Sequence, residues 1–368
     1  MYKSDLMKIA VYSISHNEEK HVDRFMASTK GADGVFVLDT GSTDGTVTSL
    51  ETAGAIVKLA PPDICASFRF DTARNLALHM IPGDFEACVV LDLDEVLSPG
   101  WREHIENIWQ TGKTSSAICQ VISAYDSKGQ PDIIYWGRRL HSRSGWFWKY
   151  PAHVLIVPFI PDIPVQWASP EEALTIEHFP DKTKSRSNRL ALLELGVQEN
   201  PHDARPSHYL GREYFYRGDY DKAKTELQRH LTLSQGAWYG DRAASMRFLG
   251  WIDYRFHDIP KAIAWFLRAA AESPNNRDPW VDLAQAYYDT GDFIGCYFAA
   301  KQALKITERP RACITYGYAW NDRPYDLASI SAWNLGLKDE ARILCEEAFK
   351  LAPGNERIKN NLNCIMSK

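Results

Sequence analysis

Between Lys8 and Phe179 short apolar runs alternate with helical patterns, and this alternation limits most strongly what the chain can fold into. Lys8–Ser15 reads as a strand, and Glu18–Ser28 as a helix that Asn17 can cap, with acidic residues in its first turn. Gly34–Asp39 is a second strand, Thr43–Ala53 a second helix, Ile56–Leu59 a third strand and Phe70–His79 a third helix. Ala87–Leu93 is a fourth strand. Such repetition predicts an α/β domain with a mostly parallel sheet flanked by helices. Ligands of these sheets bind beyond the carboxyl ends of the strands. Three polar clusters fall there: His16-Asn17-Glu18, Asp39-Thr40-Gly41-Ser42 and Asp92-Leu93-Asp94.

The last cluster, in VVLDLDEVLS, carries the most chemistry. Residues two apart on an extended strand share a side, so Asp92 and Asp94 are expected to project together, with Glu95 close behind. Like charges held that close repel. A divalent cation removes the conflict, and oxygen ligands suit Mg or Mn. The competing reading is a solvated corner in which Asp94 caps the next turn.

From about Thr183 the pattern changes to helices with recurring small and aromatic residues. HYLGREYFYRGDYDKAKTELQRHL, RFLGWIDYRFHDIPKAIAWFLRAA, VDLAQAYYDTGDFIGCYFAAKQAL and DLASISAWNLGLKDEARILCEEAF share one layout. Each has an early small residue (Gly211, Gly250, Ala284, Ala328), then a turn (Gly218, His257, Gly291, Gly336), then a second-helix alanine or cysteine (Ala223, Ala262, Cys296, Ala341). The turns recur at roughly 34 to 45 residues. The layout resembles tetratricopeptide repeats with inserted segments. It divides the chain into an α/β domain over 1–182 and an all-α repeat domain over 183–368.

A formal net charge of −5 gives no global electrostatic footprint for nucleic acid. Seven scattered cysteines without a CxxC fit reduced thiols in a cytoplasmic protein, not a disulfide framework or zinc site. No apolar run approaches transmembrane length. GxxxxGK[ST] is absent, as is GxGxxG after the first strand, which leaves P-loop and dinucleotide readings without support.

SISHNEEKHVDRFMAS, VFVLDTGSTDGTV, FRFDTARNLAL and VVLDLDEVLSPGW, in that order, resemble the GT-A nucleotide-sugar glycosyltransferases of family 2. The likeness is greatest to the branch in which tetratricopeptide-like helices follow the transferase domain. By this resemblance Asp39 would accept the imide N–H of a pyrimidine base, with a UDP-sugar as the first expectation for the donor. Asn17 and Glu18 would line the base and ribose pocket, although Asn17 reads equally as a helix cap. Arg74 and Asn75 would face the base or diphosphate. Asp92 would contact ribose and metal, and Asp94 would coordinate Mn or Mg on the diphosphate. His153 or His178 would complete the metal site; Val154 stands where this branch commonly has Glu.

Family 2 enzymes generally invert the anomeric centre, which requires a base on the acceptor hydroxyl. Glu171, Glu172, Glu177 and Asp181 lie in the region where that base is often found. The segment 135–153 is both basic and aromatic. Trp136, Trp146 and Trp148 could stack on an acceptor, and Arg139 and its neighbours could hold phosphate. The implied function is a metal-dependent, inverting glycosyltransferase whose repeats position the acceptor or a protein partner. One alternative is a tetratricopeptide binding scaffold with a degenerate transferase domain. Another changes only the acceptor, to a modified nucleic-acid base.

Overall fold

The computed structural model describes residues 7–110, 114–160, 174–181, 189–235 and 237–367. The chain divides into two compact units, Met1–Ala124 with Trp136–Gly196, and Tyr125–Tyr135 with Val197–Lys368. Among the described residues no helix is long and apolar enough to cross a membrane.

The first unit is built on strands β1 (Ile9–Ser15), β2 (Gly34–Asp39), β3 (Ile56–Leu59) and β4 (Ala87–Val90). Helices α1 (Val22–Ser28), α2 (Thr46–Thr52), α3 (Pro62–Ala66) and α4 (Phe70–His79) connect them. These four strands are parallel, in the order β3-β2-β1-β4. Beyond β4 the sheet becomes mixed, through β5 (Glu95–Leu97), β6 (Ser116–Tyr125), β7 (Pro131–Ser142) and β10 (Thr175–His178), in the order β4-β7-β6-β10-β5. β7 is antiparallel to β4, β10 is parallel to β6, and β5 is antiparallel to β10. Helix α5 (Trp101–Ile108) follows β5, and β8 (Trp146–Lys149) and β9 (Leu155–Pro158) form a separate ribbon.

The order reverses at β1, which lies between β2 and β4 and opens a crevice at its carboxyl end. β1 can lie centrally because its burial is almost unbroken, with Ile9, Ala10, Val11 and Tyr12 all fully covered. The Tyr12 hydroxyl has two partners in this core, His141 Nε2 at 2.8 Å and the Trp148 indole N–H at 2.9 Å. A buried hydroxyl without partners would cost about 1–3 kcal/mol.

Helix α6 (Arg189–Glu199) leads into the second unit. There four helix pairs follow one another: α7 (Ala204–Arg217) with α8 (Tyr220–Thr232), α9 (Tyr239–Arg255) with α10 (Ile259–Glu272), α11 (Arg277–Asp289) with α12 (Phe293–Lys305), and α13 (Arg323–Asn334) with α14 (Lys338–Leu351). Helix α15 (Glu356–Met366) closes the series.

The repeat pattern has a direct physical basis. All four turn residues, Gly218, His257, Gly291 and Gly336, have positive φ, the conformation that ends one helix and reverses the chain. Asp219, Asp258 and Asp292 then accept backbone N–H groups at the start of the second helix. The small residues mark close helix contact: a Cβ on Gly250 would lie 2.5 Å from the Phe266 ring. Ala223, Ala262, Cys296 and Ala341 are fully buried. A two-residue strand, β11 (Thr315–Tyr316), pairs with Ile133 and Ile134 of the β6–β7 hairpin tip, which belongs to this unit.

Candidate active site

The crevice at the carboxyl ends of β1, β2 and β4 gathers most of the polar residues singled out in the sequence. β4 ends at Val90, and Asp92–Glu95 forms a turn closed by the Glu95 amide on the Asp92 carbonyl at 2.9 Å. Asp92 and Asp94 therefore do not extend the strand as expected. The buried residues Leu91, Leu93 and Glu95 nevertheless alternate with the partly open Asp92 and Asp94.

Each carboxylate of the run has a cationic or ionisable partner from another element. Arg74 Nη2 on α4 donates to Asp92 Oδ1 at 2.6 Å. Arg139 Nη2 on β7 donates to Glu95 Oε1 at 2.6 Å, while Glu95 Oε2 accepts the Asp92 amide at 2.9 Å. His178 Nε2 lies 3.1 Å from Asp94 Oδ2. The antiparallel pairing of β10 with β5 sets His178 opposite Glu95 and so brings its ring to Asp94. The repulsion inferred from the sequence is answered by two arginines and a histidine.

The titration behaviour follows from this packing. Burial pushes the Asp92 carboxyl up, but Arg74 and Arg139 outweigh it and hold the group below the usual carboxylate range. For the almost fully covered Glu95 burial prevails over Arg139, and its pKa is raised. Burial works against protonated His178, and its bond to Asp94 reverses the balance, so its pKa lies above the ordinary histidine value.

Arg74 is 6% exposed, and its Nε and Nη1 have no hydrogen-bond partner among the described residues. Its guanidinium carbon lies 5.0 Å from the centre of the Trp148 ring. A buried guanidinium that uses only part of its donor fork is costly unless something else meets the remaining N–H groups. Both nitrogens are covered, so they become available to an anion only when the surrounding side chains move.

The loops after β1 and β2 are locked together. Asn17, at φ 54°, accepts the Thr43 amide on its side chain at 2.7 Å and donates its own amide to Ser42 Oγ at 2.8 Å. It therefore fastens the β2 loop and does not cap its own helix. Glu18 donates its amide to Thr46 Oγ1 at 2.8 Å. Asp39 is almost fully buried, and its carboxylate accepts four bonds: the Gly41 and Ser42 amides at 3.0 and 2.8 Å, and the Ser15 and Ser42 hydroxyls at 2.8 and 2.5 Å. It lines a cleft of about 590 Å³ with Ser42, Leu59, Pro62 and Cys65. A base imide would reach this carboxylate only by replacing one of the hydroxyls.

Other expectations change. Asn75 makes a two-bond pair with the backbone of Trp148, donating to its carbonyl at 2.9 Å and accepting its amide at 2.7 Å, so its amide fastens β8 to α4 instead of facing a ligand. Trp146 and Trp148 are 3% and 5% exposed and pack in the core with Tyr12 and Phe36, which leaves them no face for an acceptor. Trp136 is half-buried on β7, and Arg139 is held by Glu95. His153 receives Arg189 Nη2 on its Nε2 at 2.8 Å, whereas His178 is the histidine beside Asp94. Glu177 leaves β10 on the face opposite His178, because strand residues alternate. Asp181 is ion-paired with Lys20, and Glu172 lies outside the described residues.

His21 was not singled out in the sequence. It is 7% exposed, receives Arg24 Nη2 on Nδ1 at 3.0 Å, and has Nε2 3.7 Å from Glu18 Oε2. Burial lowers its pKa, while Asp94 and Asp181 act in the opposite direction, so both carboxylates lie in its surroundings. The signal available was the helical spacing of Glu18 and His21 in HNEEKH.

Among the described residues no group of three His, Cys, Asp or Glu side chains is arranged to hold a metal ion. The Asp94–His178 pair brings one oxygen and one nitrogen together, a partial donor set that fits an ion taking its other ligands from a bound diphosphate.

The glycosyl transferase family 2 model matches residues 11–159. A TPR repeat-containing protein of Synechococcus elongatus is 26% identical over 322 residues, covering 81% of this chain and 75% of the relative. Among solved structures, MamA is similar with 18% identity and a TM-score of 0.37, over 46% of this chain and 91% of that one. The first TPR domain of Spaghetti (RPAP3), solved with an HSP90 peptide, has 17% identity and a TM-score of 0.31, over 35% of this chain and 93% of that one. Residues 11–159 thus match the glycosyl transferase family 2 model, and four helix pairs follow them in the same chain.

Proposed function

We propose that the chain is a metal-dependent glycosyltransferase that takes a sugar from a UDP-sugar and transfers it with inversion. The observation that carries this reading is Arg74, a nearly buried guanidinium at the carboxyl edge of the sheet beside Asp92, with two covered nitrogens that lack partners among the described residues. A diphosphate supplies the acceptor oxygens that these donors lack. The cleft lined by Asp39, Ser42 and Pro62 takes the nucleoside, and the Ser42 hydroxyl turns away from Asp39 to admit the base.

Asp94 and His178 would hold a Mn or Mg ion beside the diphosphate site. Such an ion would supply neutralisation of the charge left on the departing nucleoside diphosphate. Asp181 is the carboxylate assigned to the acceptor hydroxyl: it shares the surroundings of His21 with Asp94, and an acceptor that displaces Lys20 frees it to take the proton. The reading places the protein in the cytoplasm, where the free cysteines remain reduced.

Titration of the full chain with UDP, with and without Mn, tests the proposal. Binding that strengthens with Mn, and loses that dependence in Asp94→Asn at an unchanged melting temperature, supports it. Metal-independent binding that is equal in both proteins overturns it and leaves the helical scaffold with a degenerate front domain.

A further inference from the structure

The helical unit holds a cleft of about 290 Å³ of its own. Its walls come from α7, α9, the start of α13 and the segment 306–322 that joins α12 to α13. The corresponding links between the earlier pairs, 233–238 and 273–276, are shorter. The longer link carries β11 and places Tyr316 and Tyr318 in the cleft, with the Tyr316 hydroxyl 3.5 Å from that of Tyr216 on α7. An open helical groove is thereby narrowed to a compact pocket. Its volume matches one ring-sized group better than an extended peptide strand.

The chemistry of the walls is specific. Phe215, Phe248 and Trp251 give apolar ring surfaces, and Tyr216 stands 59% exposed at the rim. The floor is an ion network in which Arg247 donates to Asp282 at 2.6 Å and to the Tyr318 hydroxyl at 2.5 Å and lies 3.5 Å from the buried Asp278 carboxylate. Its charge is therefore matched internally. Arg323 is different: it lies 5.4 Å from the Tyr318 ring centre, donates to the neutral Gln285 amide at 2.9 Å, and meets no carboxylate within ion-pair distance among the described residues. Arg212 adds a second rim cation, over the Tyr209 ring. Asp241 is the single carboxylate in the wall among the described residues, and Asp282 and Asp278 lie beneath it against Arg247, so Arg323 and Arg212 are the cations at the rim.

We propose that this cleft binds an acidic sugar residue, a pyranose ring bearing a carboxylate. The ring's C–H face lies on the aromatic wall and its carboxylate faces Arg323. Asp241 and the Tyr216 and Tyr316 hydroxyls receive its hydroxyl groups. On the transferase reading above, on which this last assignment rests, the sugar belongs to the acceptor, which is then an acidic glycan.

The test compares methyl β-glucuronide with methyl β-glucoside on the full chain by ligand-observed NMR titration. The two share a ring and differ in the carboxylate. The glucuronide is expected to bind roughly tenfold more tightly, and Arg323→Gln to remove that preference. Tyr216→Ala, at an exposed position, is expected to weaken both ligands while the melting temperature holds. Equal binding of the two glycosides, no binding of either, or a preference that survives Arg323→Gln overturns the proposal. Tighter binding of acetyl-triglutamate than of the glucuronide also overturns it, in favour of an acidic peptide. A UDP and Mn titration on the same sample separates the two readings. Glucuronide binding without UDP binding leaves the sugar site and removes its acceptor role, whereas UDP binding without glucuronide binding removes the sugar site alone.

Discussion

Arg74 reaches Asp92 with a single nitrogen, Nη2 to Oδ1 at 2.6 Å, and keeps its other two nitrogens turned into a covered space with nothing described to meet them. The pair joins α4 to the turn after β4, the two elements that frame the crevice. Arg74→Met is expected to lower the affinity for UDP in the presence of Mn by roughly tenfold to a hundredfold, the worth of hydrogen bonds to a charged group. Isothermal titration against UDP measures this. Unchanged affinity would show that the guanidinium serves Asp92 and Trp148 alone.

Asn75, the next residue, is expected to behave in the opposite way. Both ends of its amide are engaged by the Trp148 backbone. Asn75→Ala leaves a buried N–H and C=O without partners, which costs about 1–3 kcal/mol. Urea unfolding should show that loss with UDP affinity unaltered. Weaker UDP binding at full stability would return Asn75 to the donor site.

Asp181→Asn tests the base. The substitution preserves shape and removes proton acceptance, so turnover should fall by roughly a hundredfold or more while UDP binding stays as it is. Wild-type turnover in this variant would assign the proton transfer elsewhere.

The helical unit carries a pH dependence of predictable sign. His230 is 1% exposed, lacks partners at both ring nitrogens among the described residues, and lies 5.3 Å from the ring of the equally buried His208. Burial pushes the His230 pKa down to about 3, with His208, Arg242 and Arg229 acting in the same direction and Asp241 opposing. Because the folded pKa is depressed, the stabilisation is complete above the unfolded histidine value and is lost as pH falls toward the folded one. At pH 5 the loss from this residue is on the order of 2 kcal/mol. Thermal melts from pH 7 to pH 4 should fall less steeply for His230→Phe than for the wild type. Parallel curves would remove His230 as the source.

Gly250 tests the helix-pair packing. A Cβ at this position would sit 2.5 Å from Cε1 of the fully buried Phe266. Gly250→Ala should cost about 1–3 kcal/mol through overpacking, although alanine is the better helix former. A higher melting temperature would show that α9 and α10 have slack.

What the sequence determined by itself was local. The parallel strands β1 to β4, the four turn residues and the small residues of the helix pairs were legible because strand alternation, positive φ and close helix approach each require particular residues at fixed short spacings. The acidic run was legible as charge in need of a counter-charge. Tertiary structure decided what supplies it and which neighbours only build the fold. His178 meets Asp94 across 84 positions, and Asn75 meets Trp148 across 73. No spacing rule reaches that far, because such pairs follow from the order and register of the sheet. The tryptophans show the limit most plainly. A Trp–Phe–Trp run fits a sugar platform or a core equally well, and only the side of β8 that faces α4 and β1 assigned Trp146 and Trp148 to the interior. The physical reason is that a side chain's chemistry is written in the sequence, while its burial and its partners depend on elements distant in the chain.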